Sequence, residues 1–322
     1  MLLREKLVDK RYCIGMVWES RRDSPVTRHD HNAHSDLPID AMAPDAALSA
    51  MLGSQVRALD SVAPALPKIA EAAALMAQVL GQGGVVHYAA AGSSGLMALA
   101  DACELPGTFG IAQAQVRIHM AGGVPSGGVM PGDTEDDAAE AQCAARHLRA
   151  GDLAIVLSAS GTTPYALAFA EAARTAGARI VAIANVAGAP LLAQADVAIA
   201  LETGPEILAG STRLGAGTAQ KVALNMISTQ AGILLGHVHD GLMVNLKPDN
   251  IKLRRRAVQI VARVARVADP AAQAALEATG FDTKPAVLVA AGADLGAARA
   301  LLAEHKGRLG ACLAALAEKP II

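Results

Sequence analysis

The sequence predicts an α/β protein built on a parallel, doubly wound sheet, and three observations lead there. Five short apolar runs, at 85–91, 115–120, 152–157, 179–185 and 197–202, alternate with stretches of helical character. Two of these runs break into turns rich in small hydroxyl residues that pass directly into a helix. The chain is 52% apolar but only 2% aromatic, which favours layers packed through small residues over an aromatic-rich β sandwich. Ligands of such sheets sit at the C-terminal strand ends, and both hydroxyl turns fall there.

The bulk properties narrow the function classes. The 322 residues suffice for one large or two modest domains. A formal charge of −2 gives no footprint for nucleic acid. No apolar run reaches the ~18 residues of a membrane span, and the opening MLLREKLVDKRY lacks a signal-peptide core. Cys13, Cys103, Cys143 and Cys312 are far apart, without CxxC pairs or histidines at metal spacing. The expectation is a cytoplasmic protein with free thiols, without a nucleic-acid or membrane partner.

In chain order, residues 1–45 read as an irregular N-terminal arm. Its His29, His31 and His34 could meet a metal, but ligands need rigid presentation, and a solvated arm is the expectation. Helices are expected over 47–62 and 66–80, with Pro67 near a start and Gly81 at a stop. The first strand then turns through Gly92-Ser93-Ser94-Gly95 into a helix. Free N–H groups, the positive end of the helix dipole and the hydroxyls of Ser93 and Ser94 suit a phosphate. The lone GxxG is no dinucleotide fingerprint, since GxGxxG and the later acid are missing. That helix carries Glu104 and is expected to stop at Pro106-Gly107.

A glycine-rich loop after the second strand ends in Thr134-Glu135-Asp136-Asp137, acids at a helix start, where capping is the expected role of Glu135 taken alone. The third strand runs into Ser158-Ala159-Ser160-Gly161-Thr162-Thr163-Pro164. Ser158, Ser160, Thr162 and Thr163 exceed what N-capping requires and make a better phosphate cradle than the first turn. After the fifth strand come Glu206, Ser211, Thr212 and Arg213, then a helix bearing Gln220, Lys221 and Asn225. Lys221 and Asn225 share a face four residues apart. The helix is otherwise almost wholly apolar, so its polar start is expected to face a cleft.

The turn SSG, Glu104 in ELPGTFG, Glu135 in TEDD, SASGTTPY and above all PEILAGSTRLGAGTAQKVALNMIST resemble the N-acetylmuramic acid 6-phosphate etherases. That family belongs to the sugar isomerase (SIS) superfamily, with the glucokinase regulatory protein. The resemblance runs over about residues 27 to 318 and continues through GLMVNLKPDNIKLRRRAVQIV. It implies a three-layer α/β sandwich with a central parallel sheet, at 46–260, and a small C-terminal helical domain, at 261–322. It further implies a homodimer with sites at or near the interface, a sugar-phosphate ligand, no metal and no organic cofactor. The implied reaction, a step of peptidoglycan recycling, cleaves a lactyl ether to N-acetylglucosamine 6-phosphate and D-lactate. Glu104 matches the acid for the leaving lactate, and Glu135 matches the second acidic residue. Ser93, Ser94, Ser158, Ser160, Thr162, Thr163, Ser211, Arg213 and Lys221 match the binding segments.

The chain also departs from the family pattern. Leu96, Thr162 and Gly215 stand where the family usually has arginine, arginine and lysine, and Thr27-Arg28 replaces a Thr-Glu pair. Ser158, conversely, restores the SxSGxT pattern of phosphosugar isomerases. A charge-assisted contact contributes roughly 1.5–3 kcal/mol, so the losses imply a ligand with one anionic group fewer. A phosphosugar isomerase and a non-catalytic sugar-phosphate regulator are the alternatives. Retention of both glutamates favours the lyase. If 94–104 is one straight helix, about 15 Å long, Glu104 is too far from Ser93 for one small sugar, and an interface site is expected.

Overall fold

The computed structural model describes residues 38–318. The three arm histidines, Thr27-Arg28 and Cys13 lie outside the described residues. The chain divides at Ala47/Leu48 into two units. The described part of the first holds a 3-10 turn, Ile39–Ala41, and the start of α1 (Pro44–Asp60).

Five strands, β1 (Val86–Ala90), β2 (Val116–Met120), β3 (Leu153–Ser158), β4 (Arg179–Ala184) and β5 (Val197–Ala200), form one sheet in the order β2-β1-β3-β4-β5. Every pairing is parallel, with Ala90 opposite both Met120 and Leu157. The apolar runs become strands because β1 and β3 are buried on both faces, so their side chains do not alternate in polarity. Helices α2 (Val62–Gly81), α3 (Gly92–Phe109) and α6 (Gly215–Leu234) cover one face. Helices α4 (Ala138–Ala145) and α5 (Pro164–Thr175) cover the other. The architecture is thus the expected three-layer sandwich. The direction of winding reverses between β1 and β3, and that reversal opens a crevice at their carboxyl ends.

Past α6, a two-residue hairpin of β6 (Val238–His239) and β7 (Leu242–Met243) leads to α7 (Ile251–Ala265), α8 (Asp269–Ala278), α9 (Thr283–Ala290), α10 (Leu295–Glu304) and α11 (Leu309–Glu318). These helices share a third apolar cluster around Val261, Leu276, Val287 and Leu288. The expected boundary at residue 260 falls within α7, whose buried Ala257, Ile260 and Val261 all belong to that cluster. No single helix among the described residues is long and apolar enough to cross a membrane. Cys103, Cys143 and Cys312 are free thiols.

Two helix limits differ from expectation. Helix α2 begins at Val62, so Pro67 lies in its second turn. Helix α3 passes through Pro106 and Gly107 and stops at Gly110, which is left-handed at φ 63°. Burial of Leu105 and Phe109 holds the last turn, and Asn245 Nδ2 donates to Phe109 O at 2.7 Å. Packing outweighs the one hydrogen bond that a proline removes.

On the α5 side of the sheet, His87 of β1 and His119 of β2 stack with centroids 5.2 Å apart and share a 2.9 Å Nδ1–Nε2 hydrogen bond. Burial lowers both to about 4, against the pull of Asp152 on His87 and with Arg117 adding to the depression. Unfolded histidines titrate near 6.5. Between pH 6.5 and 4 the unfolded chain therefore binds more protons, and stability falls as the pH falls. Urea titrations from pH 7 to 4.5 should show this loss, about 5 kcal/mol for the pair. His119→Gln, which leaves one group to protonate, should flatten the profile.

Candidate active site at the carboxyl edge of the sheet

Both hydroxyl turns open into the crevice between β1 and β3. Because Ala90 is level with Leu157, the turns after these strands are neighbours, about one strand spacing (~4.8 Å) apart. The first turn is set by Gly92, at φ 55°. A Cβ there would be strained and would overlap Glu135 Oε1, so only glycine lets the glutamate approach. Ser94 is buried and Ser93 half-buried. Among the described residues no side chain caps α3 at Ala91, which leaves its first N–H groups open to a ligand.

The second turn is internally wired. Ser158 Oγ, buried, lies 2.8 Å from Thr163 Oγ1 and accepts the Gly161 N–H at 3.0 Å. Ser160 Oγ accepts from the Thr162 N–H at 3.2 Å and from Thr162 Oγ1 at 2.9 Å. Gly161 sits at φ 65°, and a Cβ would overlap Ala189. The hydroxyls thus hold the turn's shape. Thr163 makes no side-chain cap to α5, so that helix start is also open among the described residues.

The start of α6 is different. Glu206 Oε2 and Oε1 accept the Gly215 and Ala216 N–H groups, each at 2.8 Å. Gln220 Nε2, buried, donates to Asn185 Oδ1 at 2.8 Å and ties α6 to the end of β4. The sequence singled out Glu206 only as an acid in a loop.

Capping is not the role of Glu135. Asp137 caps α4 by accepting the Glu140 N–H at 2.8 Å, and Glu140 in turn accepts the Gly122 N–H. Glu135 lies exposed in a 3-10 turn, Asp133–Asp136, with its carboxylate against Gly92. Glu104 is exposed on α3, an unbroken helix. Eleven residues separate it from Ser93, hence about 16 Å along the axis and nearly the same azimuth. Ser211 is half-buried and Arg213 exposed in the loop before α6. Lys221 and Asn225 face a cleft, as expected, but it is the groove between α2 and α6, lined also by Leu66, Ile69 and Met226.

Nothing in the local sequence singles out Asp101. On α3, 4% exposed, it accepts from Tyr88 Oη at 2.9 Å, Asn225 Nδ2 at 2.7 Å and Ser228 Oγ at 2.9 Å. Burial raises its pKa, and the three hydrogen bonds oppose the rise. Asp101 locks α3 to α6 and β1 behind the crevice.

No group of three or more His, Cys, Asp or Glu residues suited to a metal occurs among the described residues. A parallel sheet in this order, with open helix starts at its point of reversal, is a doubly wound α/β fold, and the SIS domain family model matches residues 55–185. Among curated proteins, N-acetylmuramic acid 6-phosphate etherase of Serratia proteamaculans is 42% identical over 79% of this chain and 86% of its own. The Deinococcus radiodurans etherase is 40% identical over 82% of this chain and 86% of its own. Phosphoheptose isomerase of Francisella tularensis, a solved structure, is 19% identical over 60% of this chain and 98% of its own, with a TM-score of 0.43. The chain belongs to the N-acetylmuramic acid 6-phosphate etherase family.

Proposed function

We propose that the protein is a carbon–oxygen lyase that cleaves the lactyl ether of N-acetylmuramic acid 6-phosphate, yielding N-acetylglucosamine 6-phosphate and D-lactate. The observation that carries this reading is the juxtaposition of the Glu135 carboxylate with the open start of α3, one strand away from the Ser158–Thr163 turn. A base beside an anion cradle suits a sugar phosphate whose reacting carbon lies a few bonds from the phosphate.

The phosphate binds at the open helix starts, with Ser93, Ser94, Ser160 and Thr163 adding hydroxyl donors. Glu135 removes the C2 proton, which the open-chain aldehyde acidifies. The electron pair moves to form the C2–C3 double bond as the C3–O bond breaks. Glu104 gives its proton to the departing lactate oxygen. Water then adds at C3 while a proton returns to C2, so an elimination and a hydration sum to ether hydrolysis.

The proposal includes a homodimer in which Glu104 serves the partner's crevice. Its separation from Ser93, about 16 Å, is too long for one sugar within a chain. An apolar stripe supports it: Leu48, Leu52, Val56 and Leu59 of α1, spaced for one helix face, are exposed, as is Leu66 of α2. Arg213 and Lys221 remain as the cations of the binding segments, and Leu96, Thr162 and Gly215 supply no charge in place of the family's basic residues. In the cell this reading places the protein in the cytoplasm, in peptidoglycan recycling.

Incubating the full chain with N-acetylmuramic acid 6-phosphate in deuterated water tests this. Lactate release with deuterium at C2 of the product is the expected result. Label without lactate would turn the reading to an isomerase or a different ether. Neither signal would turn it to a sugar-phosphate regulator.

A further inference from the structure

The opposite, amino-terminal edge of the same sheet holds a second cavity, of ≈ 460 Å³. It lies between the loops that feed β1 and β3, and Arg117 of β2, His147 and Arg149 line it. Among the described residues no carboxylate lies within ion-pair distance of Arg117 or Arg149. Asp152, the one acid of the lining, is turned inward: Oδ1 accepts the Val85 N–H at 2.9 Å and Oδ2 the Arg149 N–H at 3.0 Å. Its Oδ2 also lies 3.5 Å from His87 Nε2, a buried atom without a hydrogen-bond partner.

Parallel sheets gather the negative ends of helices at this edge, which ordinarily repels anions. Here that end is quenched. Carbonyls at the close of α2 and in the turn after it are taken: the Gly84 N–H donates to Val79 O at 2.9 Å, and Gln115 Nε2 donates to Leu80 O at 3.0 Å and to Gly84 O, past the helix, at 3.1 Å. Two permanent cations thus face one inward acid. Gly83 and Gly151, both at positive φ, present bare backbone toward the cavity, where a Cβ would meet nothing within 4 Å. Two guanidinium groups beside a compact open pocket are the chemistry that recognises a dianionic phosphate group.

We propose that this cavity is a second binding site, for a phosphate-bearing small molecule, at the edge of the sheet opposite the proposed active site. It does not rest on the assignment of the lyase reaction. Inorganic phosphate and phosphate monoesters share the recognised group.

Equilibrium dialysis of the full chain against labelled inorganic phosphate tests it. The double variant Ser160→Ala/Thr163→Ala, which weakens the carboxyl-edge cradle, should retain one phosphate per chain. Adding Arg117→Gln/Arg149→Gln should weaken that remaining binding at least tenfold, with far-UV circular dichroism unchanged. If the quadruple variant does not fold, Arg149→Gln in the cradle variant should still give a several-fold loss. No phosphate retained by the cradle variant, or retention unaffected by the arginine changes, would overturn the proposal. Competition by glucose 6-phosphate at the retained site would identify a monoester pocket. Its failure to compete, with phosphate still bound, would identify a site for the free anion.

Discussion

Glu135→Gln is expected to lower kcat by about a hundred- to ten-thousand-fold, the usual contribution of a positioned acid or base. The fold should not suffer. The carboxylate is exposed, and Asp137 rather than Glu135 caps α4. The informative comparison is with Glu104→Gln. A chain without its base should lose C2 exchange with deuterated water and lactate release together. A chain that keeps the base and loses the acid should still exchange C2 while releasing lactate a hundredfold or more slower. Equal retention of exchange in both variants would refute the assignment, and loss of exchange in Glu104→Gln alone would reverse it. Because Glu104 is proposed to reach the partner's crevice, the two inactive chains should also complement each other. Half of the randomly mixed dimers would each carry one complete site, so about a quarter of wild-type activity returns. No recovery, with subunit exchange demonstrated, would return Glu104 to its own chain.

The largest expected effect on stability is at Asp101. Asp101→Ala leaves Tyr88 and Asn225 Nδ2 without this acceptor, leaves Ser228 only its 3.3 Å bond to Asn225 O, and opens a space between α3 and α6. An unsatisfied buried polar group costs about 1–3 kcal/mol, and the effects overlap, so about 3–5 kcal/mol is expected from urea unfolding. Asp101→Asn, which keeps the shape but turns an amide toward three donors, should cost less than the alanine. Since burial raises the pKa of Asp101, the native state holds its proton to higher pH than the unfolded chain does. The destabilisation that its ionisation brings is therefore present above its raised pKa and relieved below it, and Asp101→Asn removes that pH dependence. A change under 1 kcal/mol for Asp101→Ala would mean that water satisfies the three donors.

The strands were legible because each is an apolar run bounded by glycine or polar turns. Their limits, such as 86–90 against the expected 85–91, moved by a residue or two. The hydroxyl turns were legible for the same local reason. What failed was decided by distant partners. Pro106 marks a stop in the local code, but Leu105, Phe109 and Asn245 carry α3 onward. Asp101 looks like an ordinary helix-surface acid until Asn225 and Ser228, 124 and 127 residues away, close over it. Glu135 stands beside Asp136 and Asp137, and nothing local says that Asp137 wins the cap. The proposed roles of both glutamates come from the family motifs, which spacing alone does not supply.

The carboxylate of Glu206 gives the crevice a polarity. Three helix starts converge on the carboxyl edge, yet one of them already holds an anion supplied by the chain itself. A ligand entering the crevice meets two attractive corners and one occupied corner. Under the proposed function the phosphate is therefore steered toward α3 and α5 and away from α6. The chain's own carboxylate thus decides by charge, before any shape is tested, which corners an anion can take.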